Sequence, residues 1–108
     1  MHLKRLHQLR IKRNITEKLN IKIKTMNKIL YFTASWCGPC KALAPTMDQL
    51  ASQGLPVQKV DVDNDQSLSA QYGVRNVPTL IKVDASGNEV GRLVGNQSAD
   101  AVKSWYGN

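Results

Sequence analysis

The chain has 108 residues and a mass of 12.0 kDa, with 42% hydrophobic and 21% charged residues, two cysteines and a formal net charge of +7. That is enough for one small domain with one core and too little for two. The composition is of the soluble globular class, and no stretch approaches the roughly 20 apolar residues that a membrane span needs.

The charge is unevenly placed. Residues 1–25 carry eight basic side chains (Lys4, Arg5, Arg10, Lys12, Arg13, Lys18, Lys22, Lys24) against the single acid Glu17, whereas residues 26–108 carry seven of each sign. The pI of about 9.7 therefore describes an N-terminal segment and not the domain that follows. Lys and Arg interrupt every apolar run of signal-peptide type in that segment, which gives export no support. Leu3, Leu6 and Leu9 fall on one side of a helix and Ile11, Ile15 and Leu19 on the other, so a single amphipathic helix is not expected. From Leu19 to Lys24 apolar and polar residues alternate, as in a short strand with lysines guarding an edge. Three readings of residues 1–25 stay open: a disordered or upstream-translated extension ahead of Met26, an added edge strand, or a basic arm for nucleic acid or anionic lipid. A methionine at the point where the charge character changes favours the first.

After Met26 the predicted elements follow in order. Ile29–Ala34 reads as a buried strand. Pro39 suits the first turn of a helix whose inner face is Cys40, Leu43, Ala44, Met47, Leu50 and Ala51, stopped by Gly54, with Pro45 removing one internal hydrogen bond. Pro56–Asp61 supplies a second strand. Asp63 or Asp65 caps a short helix that ends at Gly73. Thr79–Val83 and Glu89–Val94 form a hairpin about the turn-forming residues 84–88, and Ser98 caps a last helix facing inward through Val102, Trp105 and Tyr106. The order β-α-β-α-β-β-α implies a four-stranded mixed sheet with helices on it: the two strands joined by the first helix parallel, the last two antiparallel.

Cys37 and Cys40 stand at the turn from the first strand into the first helix, inside a βαβ unit. A C-x-x-C there, with no further thiol and no histidine cluster, favours a redox dithiol over a zinc site or a disulfide scaffold. Only a thiolate attacks a disulfide, and unpaired N–H groups at a helix N-terminus lower a cysteine's pKa from about 8.5. Cys37 is expected there, accessible beside Trp36, as the nucleophile. Cys40, one turn on along the apolar face, is the shielded resolving thiol. A purely structural bridge is the bland alternative, and so short a loop adds little stability. Asp61, Asp63 and Asp65 alternate like the start of a calcium loop, but Gln66 and Tyr72 occupy the positions that need Gly and Glu. His2 and His7 have no metal-binding company, so no metal is expected.

Phe32-Thr33-Ala34-Ser35-Trp36-Cys37-Gly38-Pro39-Cys40-Lys41, Ala44-Pro45, Val60-Asp61-Val62-Asp63, Tyr72-Gly73-Val74-Arg75, Val77-Pro78-Thr79-Leu80 and Gly95 resemble, in order and spacing, the motifs of the thioredoxin family. The resemblance covers about 80 residues and implies the α/β thioredoxin-like fold in 26–108. It also implies a protein-disulfide reductase in which Gly38-Pro39 sets the reducing direction. The site it implies holds Pro78 cis, with the backbone of Val77 pairing to an extended substrate and Trp36 and Gly95 bordering the groove. Protein disulfide substrates, a thioredoxin-reductase-type electron donor, no cofactor beyond the Cys37–Cys40 disulfide, a cytoplasmic location and a monomer follow from the same resemblance. A non-redox binding subunit of a larger assembly, such as a replication complex, is the alternative. Two departures stand out. The family's N-terminal strand and helix have no obvious counterpart in residues 1–25, and Tyr31 replaces the family's buried Asp six residues before the first cysteine. Lys59 matches the lysine that accompanies that acid. Tyr31 reads either as a core aromatic with a hydrogen-bonded hydroxyl, or as a sign that water, or Lys59 with a nearby Asp, takes the Cys40 proton.

Overall fold

The computed structural model describes residues 26–108. The readings of residues 1–25 as an extension, an edge strand or a basic arm lie outside the described residues. The elements run β1 (Lys28–Thr33), α1 (Gly38–Ser52), β2 (Val57–Asp61), α2 (Gln66–Gln71), β3 (Thr79–Val83), β4 (Glu89–Val94) and α3 (Ala99–Gly107). This is the expected order. The strands form one sheet in the order β2-β1-β3-β4, with β1 parallel to β2 and the pairs β1–β3 and β3–β4 antiparallel.

Alternation along the central strands divides the interior in two, because successive side chains leave a strand on opposite faces. Ile29, Tyr31 and Leu80 pack with Leu43, Met47 and Leu50 of α1 and with Val102 of α3, while Leu55, Leu93, Trp105 and Tyr106 close the rim. On the other face Leu30, Phe32, Val60, Ile81 and Val83 pack under Leu68, Tyr72, Val74 and Val77. In α1 the buried positions are Cys40, Leu43, Met47 and Leu50, whereas Ala44 is half-buried and Ala51 exposed. The inner stripe is thus narrower than the i, i+3, i+4 pattern predicts, because the small alanines lie at its border and the sheet contacts only its centre.

The caps explain where the helices begin. Asp65, not Asp63, caps α2, its carboxylate accepting from Leu68 N–H at 3.0 Å, and the Ser98 hydroxyl accepts from Ala101 N–H at 3.1 Å to start α3. Gly91 lets α3 lie close on β4: a Cβ there would stand 3.0 Å from the Trp105 indole nitrogen. Lys82 is buried within β3, two residues after Leu80 and so on the α1/α3 face. Its ammonium donates to the Trp105 carbonyl at 2.7 Å and reaches those of Tyr106 and Asn108 at 3.5 Å, 5.3 Å from the centre of the Trp105 ring. A lysine among the last carbonyls of a helix satisfies acceptors that have no intrahelical partner. Its burial and its capping role were not legible in the strand pattern.

Candidate active site

β1 ends at Thr33, and the chain turns through Ala34, Ser35 and Trp36 into α1, with Cys37 N–H donating to the Ala34 carbonyl at 3.2 Å. Cys37 is the N-cap of α1. Its backbone is extended (φ −90°, ψ 113°), and its Sγ accepts from Cys40 N–H at 3.1 Å, the place a serine or aspartate oxygen takes at an ordinary cap. Gly38 and Pro39 fill the first turn, where proline's missing N–H costs nothing. Cys37 and Cys40 are joined as a disulfide, their Cα atoms 5.2 Å apart.

The pair sits with Ala34 in a small apolar cluster closed by Val62 and Val77. Cys40 is shielded, as expected. Cys37 is less open than expected: it is 5% exposed against 1% for Cys40. The packing of Val62 and Val77 against the cluster accounts for this, and the exposed member of the motif is Trp36, at 68%. Its indole N–H donates to the Asp63 carboxylate at 2.9 Å. From sequence Asp63 offers itself only as a helix cap, because the residue it holds lies 27 positions earlier.

The Val77–Pro78 bond is cis, and the Val77 carbonyl oxygen lies 3.5 Å from Cys37 Sγ. Gly95 N–H donates to the Pro78 carbonyl at 2.9 Å, its φ of +89° falling where glycine is favoured. The structure therefore brings Cys37, Val77, Pro78 and Gly95 to one end of the sheet. Tyr31 is buried, with its hydroxyl donating to the Cys40 carbonyl at 3.2 Å. Lys59 is the register partner of Tyr31 across β1–β2 and its side chain is exposed, so these two residues share a rung and not a hydrogen bond. No group of three or more His, Cys, Asp or Glu among the described residues is placed to hold a metal ion.

A family model described as thioredoxin matches residues 11–107. This chain belongs to the thioredoxin family. Thioredoxin of Haemophilus influenzae is 39% identical over 80 residues, covering 68% of this chain and 75% of that one. Thioredoxin of Chlamydia caviae is 38% identical over 88 residues, covering 80% and 85%. Among solved structures, a mutant thioredoxin from Halobacterium salinarum matches with a TM-score of 0.69 at 41% identity, covering 82% of this chain and 79% of that one. The reduced Schistosoma mansoni thioredoxin pre-protein matches with a TM-score of 0.70 at 32% identity, covering 85% and 87%. With the cysteine pair bridged at the head of α1, the activity is that of a thiol–disulfide oxidoreductase of the protein-disulfide reductase type. Such an activity takes protein disulfides as substrates and a reductase as electron source. None of these findings favours a non-redox binding subunit. No helix among the described residues is long and apolar enough to cross a membrane.

Proposed function

We propose that Cys37 is the attacking thiolate and Cys40 the resolving thiol of a monomeric reductase. It would work in the cytoplasm, take electrons from a thioredoxin-reductase-type donor and need no cofactor beyond its own dithiol. The observation that carries this reading is the hydrogen bond from Cys40 N–H to Cys37 Sγ at the head of α1. That donor, with the positive end of the helix dipole, favours negative charge on Cys37. Cys40 lies inside the helix and has no such position.

In the reaction Cys37 attacks one sulfur of the target disulfide, forming a mixed disulfide and expelling the other target sulfur as a thiolate, which takes a proton. Cys40, after losing its proton, attacks Cys37 Sγ. The Cys37–target bond breaks, the target leaves as a second thiol, and two electrons have moved from the dithiol to the target. An extended target strand lies beside Val77 and cis Pro78, with Trp36 and Gly95 at the borders. Gly38 and Pro39 shape the turn, and Tyr31 and Lys59 support it from the sheet. A dithiol that must stay reduced suits the cytoplasm, where thiols are kept reduced.

The test is a Cys40→Ser variant incubated with disulfide-bearing protein. Targets are expected to stay bound through Cys37 and to be released by dithiothreitol. The Cys37→Ser, Cys40→Ser double variant is expected to hold none and to show no reductase activity. Equal retention of targets by the double variant overturns the reading.

A further inference from the structure

We propose that Tyr31 is a positioning residue for the resolving step, its hydroxyl fixing the backbone of Cys40 so that Cys40 Sγ meets Cys37 Sγ in line. This rests on the assignment of Cys40 as resolving thiol. Tyr31 comes from the central strand β1, and its hydroxyl crosses the core to the Cys40 carbonyl in the first turn of α1. Four residues beyond Lys41, Pro45 has no N–H to offer the Lys41 carbonyl, so the helix ladder is interrupted immediately after Cys40. The Tyr31 hydroxyl ties down the turn that precedes this break. Sulfur attack on a disulfide is demanding in direction, and a backbone held at Cys40 holds the sulfur two bonds away.

The same geometry says what Tyr31 is not. Its hydroxyl is a donor to a carbonyl, and the buried polar side chains of the described residues are Thr33, Thr79 and Lys82, none a carboxylate. Lys82 is engaged with the end of α3. On β2, Lys59 is exposed, and half-buried Asp61 accepts from Asp63 N–H at 2.9 Å. With no buried carboxylate among the described residues to take it, the proton of Cys40 goes to solvent before the attack.

The full-length reduced protein, mixed with the chromogenic disulfide DTNB in a stopped-flow instrument, reports both steps. Cys37 releases one thionitrobenzoate on attack, and Cys40 releases the second on resolution. Tyr31→Phe keeps the ring and removes only the hydroxyl. The first phase is expected to keep its rate, and the second to slow about two- to tenfold, the ratio equivalent to one neutral hydrogen bond. The slowing should be the same factor at every pH, with the slope of rate against pH retained. An unchanged second phase, or equal slowing of both phases, overturns the positioning role, and a flattened pH profile overturns it in favour of Tyr31 as base. Cys40→Ser tests the underlying assignment separately: it should release one equivalent, and release of two sinks that assignment whatever Tyr31→Phe does.

Discussion

Two buried side chains on the same face of the sheet, Tyr31 and Lys82, end on backbone carbonyls at opposite poles of two different helices. Tyr31 meets the first turn of α1, where carbonyls are already used by the helix ladder, so its hydrogen bond adds a second partner to a satisfied acceptor. Lys82 meets the last turn of α3, where the dipole is negative and the Trp105 carbonyl also accepts from Asn108 N–H at 3.4 Å, so its ammonium supplies a shorter, charged donor and a complementary charge. Removing the first contact is expected to cost little stability and to act at the dithiol. The other is remote from the dithiol and holds α3 on the sheet.

The comparison breaks most visibly at Lys82. Lys82→Ala is expected to lower unfolding stability by about 2–3 kcal/mol, since charge-assisted hydrogen bonds and the packing of a buried stem are lost. Disulfide reduction per folded molecule should keep its rate. Lys82→Met, which keeps the apolar stem, separates packing from capping: a denaturant midpoint near wild type would assign the stability to the stem. Tyr31→Phe comes next, with a loss of about 1 kcal/mol or less and its main effect in the resolving phase. A loss as large as that of Lys82→Ala would erase the distinction.

Tyr106 sharpens the α3 end. Its hydroxyl donates to the Asn27 carbonyl, tying α3 to the start of β1, and burial raises its pKa above the usual 10.0. Above pH 10 the unfolded chain loses this proton first, so stability present below that point falls as pH rises through the raised folded value. Tyr106→Phe should lower stability at neutral pH by about 1 kcal/mol and weaken the alkaline decline in thermal melts. The smallest effect is at the surface of β4. There the Arg92 guanidinium, hydrogen-bonded to Glu89 and paired with it at 2.7 Å, lowers the Glu89 pKa from 4.5. That stabilisation is present above pH 4.5 and fades as pH falls through the lowered folded value. Glu89→Gln should remove only a few tenths of a kcal/mol, as for exposed pairs, and a larger acid dependence would mark Arg92 as more than a surface partner.

Much of this was legible along the chain. Buried strands, the helix cap at Ser98 and the turn at 84–88 announce themselves through local patterns, because their causes lie within a few residues, whereas the choice of Asp65 over Asp63 as cap needed the structure. Cys37 and Cys40 were legible for the same reason: a strand end, a three-residue spacing and a helix start are all local. The hydroxyl of Tyr31 on Cys40, the indole of Trp36 on Asp63 and the ammonium of Lys82 on α3 were not, since each partner is set by the packing of separate elements.

By itself, then, the sequence determined the order of elements, the mixed sheet and the redox identity of the dithiol, since alternation, capping and spacing act over short range. Tertiary structure alone decided that Cys37 is nearly as enclosed as Cys40, and that the Val77 carbonyl stands beside it. It also decided that the tyrosine in the place of an acid reaches Cys40 through its backbone. The physical reason is that hydrogen-bond direction and burial belong to pairs of surfaces. A chain records those only after β1, α1 and the loop before β3 have packed together.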